Sequence, residues 1–353
     1  MRSIPFITIL CLILFFSTTA TQAQSLSAVY EAMESDENVT ETLKKAQKDP
    51  KTRANAYILN ILHNNVEGRG NSLEAFQSAQ KDLEDPSAYI FPIWLSDNFI
   101  DPYTKMGDEA RSFVEDVIKG DTYNGSIKAG AIYMLGVSYE KSFNPSKAVE
   151  VWKQVGSLSN WQLVGPFDNS SGSGFDKEYE PIAKPESDAS FISKTFAPVK
   201  WFAPAYMQQD GWIFLDYHVP ANSAVVYAQT FVNSPSDQEV ILSYGGSGSF
   251  KVWVNDELAL QEREEEVTEL DVYKRKVKLN KGYNRILVQL GHANSENPNF
   301  CVRLLDAQWN PISNLQESFT YRPYTKAANT MDQPPMQHFA EAYFAEKIKQ
   351  YPK

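Results

Sequence analysis

The stretch from Glu239 to Leu290 constrains the fold most, because its apolar and polar residues alternate with the period of a β-strand. One face of its first strand carries Phe250, Val252 and Val254. We predict that these side chains enter a core, whereas Lys251 and Trp253 point to the opposite face. Asn255-Asp256 then indicates a tight turn into another strand.

The same period continues in the second half of this stretch. Val277 and Leu279 alternate with lysines, Lys281-Gly282 indicates a turn, and the alternation resumes up to Leu290. From Trp201 onward, other short apolar runs are separated by glycine, proline and asparagine. We therefore predict an antiparallel β-sandwich or jelly roll over residues 159–325.

Residues 24–158 carry apolar residues at helical spacing, which predicts an N-terminal helical domain. Among the helices that we predict is one from Pro92 to Ile100. The strongest pattern runs from Ile127 to Val155, where Gly136 and Ala148 would let two helices approach closely. This pattern resembles one tetratricopeptide unit, with Tyr139 and Trp152 filling the space beside the crossing. An irregular helical bundle is the alternative.

Four sequence motifs refine the prediction for the β-rich part. They are WQLVGPF, GSGSFKVWVNDELAL, LNKGYNRILVQL and FCVRLLD. Together they resemble the galactose-binding-like jelly roll of exported bacterial proteins, over residues Asn160 to Tyr321. The resemblance implies a fold and specifies no activity. Asp256 stands where the family pattern usually has the glycine of the turn, and aspartate also tolerates such a turn.

Residues 326–353 are predicted to form a linker and a C-terminal helix. The apolar side of this helix needs a partner, so either it docks back on the first helical domain or the chain is the front part of a longer protein. Helical repeats and such a jelly roll are joined to a catalytic domain in proteins resembling transglutaminase-like cysteine hydrolases. The cysteine, histidine and aspartate motif of that family has no counterpart here.

The first 23 residues indicate the compartment. A basic start, an apolar run from Ile4 to Phe16 and small residues before Gln24 predict a cleaved secretory signal, hence a periplasmic or secreted protein. We expect no membrane span in the mature form, and an uncleaved anchor is the alternative. The formal charge of −11 argues against sequence-independent nucleic-acid binding. Cleavage would leave Cys301 as the only thiol, which we expect to pack in a strand.

No nucleophile elbow, metal-binding histidine pair or dinucleotide fingerprint is present. We therefore expect no enzymatic activity, no cofactor and no metal. Two carboxylate clusters are the strongest features against this expectation. Glu262 to Glu266 is predicted to be a solvated loop between strands. A second group could hold calcium only with an unusual ligand spacing; it comprises Asp168, Asp176, Glu178 and Glu180.

Aromatic residues are the better candidates for ligand binding. The candidate ligand-binding residues are Trp253, Lys251, Trp201, Tyr206 and Trp212. An indole on the outer face of a strand needs a cover, for which we expect the helical domain, a protein partner or a sugar ring. The end loops Ser247-Gly248 and Asn294 to Asn297 are weaker candidates, because jelly rolls place ligand sites there.

Two functions follow from this pattern. The first is an exported, non-catalytic binding or scaffold protein that recognises a protein partner or a glycan. The alternative is the N-terminal accessory region of a larger transglutaminase-like cysteine hydrolase.

Overall fold

The computed structural model describes residues 20–68, 72–94, 99–100, 106–327 and 333–350, with side chains from Leu26 onward. The first 19 residues of the predicted signal peptide lie outside these ranges, so export stays a prediction. Within the described ranges, none of the helices combines the length and the apolar composition needed to cross a membrane.

The described residues form nine α-helices and a nine-stranded antiparallel sheet, with an extra two-stranded hairpin. The helices are α1 Ala20–Ser35, α2 Val39–Ala46, α3 Arg53–Val66, α4 Ser72–Ala79, α5 Pro86–Trp94, α6 Asp108–Lys119, α7 Gly125–Lys141, α8 Pro145–Trp152 and α9 Phe339–Gln350. The strands are β1 Gln162–Asp168, β2 Ser190–Ile192, β3 Pro198–Lys200, β4 Ile213–Phe214, β5 Ala224–Ser234, β6 Gln238–Val254, β7 Glu257–Val267, β8 Tyr273–Leu279, β9 Gly282–His292, β10 Asn299–Leu305 and β11 Gln316–Ser318.

The chain divides into two compact units. The helical unit comprises residues 1–143 and 338–353, and the sandwich unit comprises residues 144–337. Within the helical unit, α9 packs on α5, where the rings of Tyr89 and Phe344 meet edge to face at 5.2 Å between centroids. This is one of the two arrangements that the sequence left open. The unit boundary falls between α7 and α8, and the tetratricopeptide-like arrangement stays a prediction.

Helix α5 differs from the predicted helix. It begins at Pro86 and contains Pro92 in its last turn, whereas the sequence pattern predicted a helix from Pro92 to Ile100, of which residues 95–98 lie outside the described ranges. The physical reason lies at the N-terminus. The Asp85 side chain accepts hydrogen bonds from the backbone N–H groups of Ser87 and Ala88, which starts the helix before the second proline.

In the sandwich unit, one long strand belongs to both layers. The first half of β6 pairs with β8 and β10, and its second half pairs with β7 and β9, which continues to β5 and β1. Inward side chains of both halves line the same core, as predicted for three of them; this set is Val240, Leu242, Tyr244, Phe250, Val252 and Val254. The predicted antiparallel β-architecture is therefore present as one curled nine-stranded sheet, and the finer jelly-roll assignment stays a prediction.

Glycines allow β6 to turn from one layer to the other. Gly246 and Gly248 occupy the inward positions between Tyr244 and Phe250, where a side chain would fill the bend. A Cβ at Gly246 would lie 2.6 Å from the carbonyl oxygen of Asn299, and Gly248 has φ +124°. Close packing and a backbone conformation unfavourable to other residues therefore explain this glycine-rich segment.

The turn after β6 has the expected tight geometry, with φ of 51° at Asn255 and 68° at Asp256. The structure explains the aspartate. Its carboxylate accepts a hydrogen bond from the Tyr324 hydroxyl at 2.7 Å and one from the Arg285 guanidinium at 3.1 Å. A glycine would fit the turn but would leave both donors without this acceptor.

A second core covers the outer face of the β1–β5–β9–β6 layer. Its cover is the long connection from β1 to β4, which contains the β2–β3 hairpin. The buried members are Val164, Phe167, Phe191, Trp201, Val225, Tyr227, Trp253 and Leu287. The outer face of this layer is therefore packed and not solvated.

Arg285 fastens this connection to the sheet. Its side chain is fully buried, and it donates to the carbonyl oxygens of Pro181 and Ile182 at 2.8 Å each and to the Gln229 side chain at 3.0 Å. The ion pair with Asp256 compensates its charge. The connection is thus held by polar contacts at one end and by the aromatic core at the other.

The acidic segment Glu262 to Glu266 was predicted wrongly as a loop. It lies within strand β7, where Glu262 and Glu266 pair with Phe250 and Gly248 of β6 on either side of a register shift. Charged side chains occupy this strand because β7 has only one paired neighbour, and charge on an edge strand opposes pairing with other chains.

Candidate functional site

The predicted cover of Trp253 needs correction. The indole points to the outer face beside Lys251, as its register predicted, and is only 8% exposed. Its cover is the connection from β1 to β4 within the same unit. Trp201 lies in the same cluster, where its ring meets Phe191 edge to face. The sequence alone did not predict this contact because the connection from β1 to β4 has the pattern of a loop.

Lys251 and Trp212 are also engaged by their own domain. The Lys251 ammonium donates to the Phe175 carbonyl oxygen at 2.6 Å and lies 4.4 Å from the centroid of the Phe175 ring. Burial lowers the pKa of Lys251. Trp212 is buried, and its backbone N–H donates to the Asp210 carboxylate at 3.0 Å. Of the five candidates, Tyr206 alone exposes most of its side chain, at 67%.

Part of the segment between Trp201 and Trp212 lines a cavity of about 450 Å³ in the sandwich unit. Three stretches of chain contribute most of the wall: residues 152–160, residues 207–211 and residues 312–317. The apolar lining continues the sandwich core and comprises Trp152, Leu158, Met207, Leu304, Ile312 and Leu315. The polar side chains of the lining are Lys153, Ser157, Ser159, Asn160, Gln208, Gln209 and Glu317.

Two glycines allow these wall segments to pack closely against each other. Gly156 has φ +73°, and a Cβ there would lie 2.2 Å from the Cβ of Pro311. Gly211 has φ +88°, and a Cβ there would lie 2.5 Å from the Ser157 hydroxyl oxygen. Any larger residue would be strained at both positions and would push the wall segments apart.

Glu317 connects two walls of the cavity. It pairs with the inward-facing Val232 across β11 and β5, which turns its side chain towards the sandwich interior. Its Oε2 accepts hydrogen bonds from the backbone N–H groups of Ser159 at 2.7 Å and Asn160 at 2.9 Å. Burial raises the pKa of Glu317 above its ordinary value, against the effect of these two hydrogen bonds. The carboxylate is therefore fixed in orientation on a half-buried side chain.

Other polar side chains of the cavity are not used by the fold. Within the described part of the chain, the side chains of Ser159, Asn160 and Gln208 make no hydrogen bond. The Gln209 amide donates to the Met207 carbonyl at 3.0 Å, which shapes the loop. The cavity thus combines an apolar floor with hydroxyl and amide groups that can bond to a ligand.

Three of the four carboxylates considered for calcium have other partners. Asp168 bonds to Ser170, Asp176 forms an ion pair with Arg263, and Glu180 forms one with Lys184. Over the described ranges, no group of three or more histidine, cysteine, aspartate or glutamate side chains is arranged to hold a metal ion.

The end loops and Cys301 also have internal contacts. Glu265 accepts hydrogen bonds from the backbone N–H groups of residues 293–295, and the Ser247 hydroxyl donates to the Glu296 carbonyl oxygen at 3.3 Å. Cys301 is buried in β10 with its sulfur 3.1 Å from the Ser157 hydroxyl. Burial raises the pKa of this thiol to about 12, which suits a packing residue and not a nucleophile.

The sequence alone could not have assembled the cavity. Asn160, Gln208 and Glu317 come from segments far apart in the chain, and none belongs to a motif. Two local signals were present. Glu317 is a charged residue within the short strand β11. Residues 206–209 include two glutamines and directly follow an apolar segment.

No protein-family profile and no curated protein matches the sequence. Local similarity is found to a β-glucosidase from Kluyveromyces marxianus, with 20% identity and a TM-score of 0.24 over 30% of this chain and 14% of that chain. A β-glucuronidase from Faecalibacterium prausnitzii gives 16% identity and a TM-score of 0.24 over 38% of this chain and 20% of that chain. A family 35 carbohydrate-binding module from an environmental isolate gives 16% identity and a TM-score of 0.19 over 26% of this chain and 72% of the module.

At these TM-scores the superpositions carry no argument about function. Nothing among these matches connects the chain with transglutaminase-like proteins. That relationship rests on the sequence resemblance alone.

Proposed function

We propose that this chain is an exported, non-catalytic binding protein that holds a small glycan in the cavity of its sandwich unit. The observation that carries the proposal is the lining, in which unbonded hydroxyl and amide side chains surround an apolar floor. A sugar ring offers the same two surfaces, since its C–H groups are apolar and its hydroxyls donate and accept hydrogen bonds. The volume of about 450 Å³ suits a mono- or disaccharide.

A small ligand is favoured over a protein partner by the shape of the site. The lining residues surround a concave space whose floor continues the core. A protein interface would instead need a broader surface, about 800 Å² on each partner. The glycan is therefore the ligand class that the cavity supports better.

Binding is tested on a glycan array with the purified protein, followed by titration calorimetry with the best glycan. Asn160→Ala and Gln208→Ala should each weaken binding about fivefold, as expected for about 1 kcal/mol from one lost hydrogen bond. Asn294→Ala is the matched control, because Asn294 is an exposed asparagine on an end loop and its side chain is not in the cavity. Equal losses in Asn294→Ala and Asn160→Ala would reject the cavity as the site.

The absence of catalysis and the export are tested separately. The protein is incubated with glycosidase and peptidase substrates, and turnover that one point substitution abolishes would refute a non-catalytic role. The N-terminal residue of the protein recovered from outside the cytoplasm should lie near Gln24. An N-terminus at Met1 in that fraction would contradict signal cleavage.

A further inference from the structure

Glu317 is the one carboxylate in the lining of the cavity within the described residues, and its surroundings differ from those of a surface glutamate. The inward register of β11 turns its half-buried side chain towards the sandwich core, and the two N–H groups of Ser159 and Asn160 bond to its Oε2. A carboxylate held in this way keeps acceptor capacity at its other oxygen. It can take hydrogen bonds from a ligand but can donate none while it is ionised.

From this arrangement, and given the glycan-binding role proposed above, we infer that Glu317 determines the specificity of the cavity: it accepts hydroxyl groups of neutral sugars and rejects acidic ones. Two negative charges next to a half-buried protein wall repel each other more strongly than two charges in bulk water. A uronic acid that places its carboxylate near Glu317 therefore binds weakly, whereas the corresponding neutral hexose donates a hydroxyl there.

Lys153 also lines the cavity and carries the opposite charge. Its side chain is exposed, so solvent screens its attraction for an anion more than it screens the repulsion from the half-buried Glu317. The balance between these two residues therefore favours uncharged ligands.

The test compares the methyl pyranosides of glucose, galactose and mannose with those of the three corresponding uronic acids, by calorimetry at neutral pH. The native protein should prefer the neutral member of a bound pair at least about tenfold. In Glu317→Gln this preference should fall to within about threefold. The amide keeps an oxygen that can accept the N–H groups of Ser159 and Asn160 while the charge is lost. Glu264→Gln, an exposed carboxylate on β7, is the matched control and should keep the native preference.

Each outcome decides one question. Equal or stronger binding of the uronic acid by the native protein, or an unchanged preference in Glu317→Gln, overturns the role of Glu317 and leaves glycan binding intact. If none of the six compounds binds and the glycan array is also empty, the proposed function fails and the specificity role fails with it. Hydrogen exchange of β5 amides shows that Glu317→Gln remains folded.

Discussion

The outer-face core makes a strong prediction about Trp253. Replacement by alanine removes a side chain that is 8% exposed and packs in a cluster with Trp201 and Phe191. A tryptophan buries about 200 Å² of surface. At about 25 cal/mol per Å², burial contributes up to about 5 kcal/mol, an upper bound because the unfolded chain buries some surface too. Large aromatic residues replaced by alanine in cores cost about 3–5 kcal/mol. We therefore expect Trp253→Ala to destabilise the sandwich unit by about 3–5 kcal/mol.

Native-state hydrogen exchange of the full-length protein is the appropriate assay, because two compact units need not unfold in one transition. The free energy of opening is measured at the slowest-exchanging amides of β5 and β9, whose outer face belongs to the same core as the Trp253 indole. Trp253→Phe keeps an aromatic ring, so it should lower the free energy of opening by less than Trp253→Ala. Tyr206→Ala removes an exposed ring and should leave the opening energy unchanged. A loss below about 1 kcal/mol in Trp253→Ala would refute the packing account.

Three further predictions follow from buried polar and ionisable groups. Arg285→Met should cost the sandwich unit about 3–5 kcal/mol in the same exchange assay, because Asp256 and the Pro181 carbonyl lose a buried partner; a neutral effect would contradict it. Burial lowers the pKa of Lys274 to about 8, so the contribution of Lys274 to the free energy of unfolding should rise from about pH 8 to pH 10. In Lys274→Met this rise should shrink, and an unchanged pH profile would argue against the burial. Cys301 should resist iodoacetamide at pH 8 until the protein unfolds, as followed by peptide mass spectrometry; rapid labelling of the folded protein would show that the thiol is accessible.

The face of each residue in β6 could be predicted because alternation is a local property. Phe250 and Val252 are inward, Trp253 is outward, and the Asn255-Asp256 turn follows, all from neighbouring residues. The extent of the strand could not be predicted in the same way. The bend at Gly246 and Gly248 depends on contacts with strands distant in sequence, so the pattern gave shorter segments than the 17-residue strand observed.

The site was less accessible to sequence reasoning than the fold. The pattern predicted aromatic residues as ligand contacts, but three tryptophans of that set pack inside the domain, since a large apolar ring is stabilised by burial wherever the fold supplies a partner. Phe191, which packs with Trp201, lies in a hairpin of three-residue strands that short patterns do not reveal. The cavity depends on three distant segments, and the two glycines that hold them together resemble ordinary loop residues.

The most direct test of the account is hydrogen–deuterium exchange of the full-length protein with and without its best glycan at saturation. The glycan-binding account predicts slower exchange in residues 156–160, 207–211 and 312–317, which line the cavity. Exchange in the end loops at 245–249 and 293–297 should not change. Protection confined to those end loops, or no protection anywhere at saturating glycan, would contradict the assignment of this cavity as the binding site.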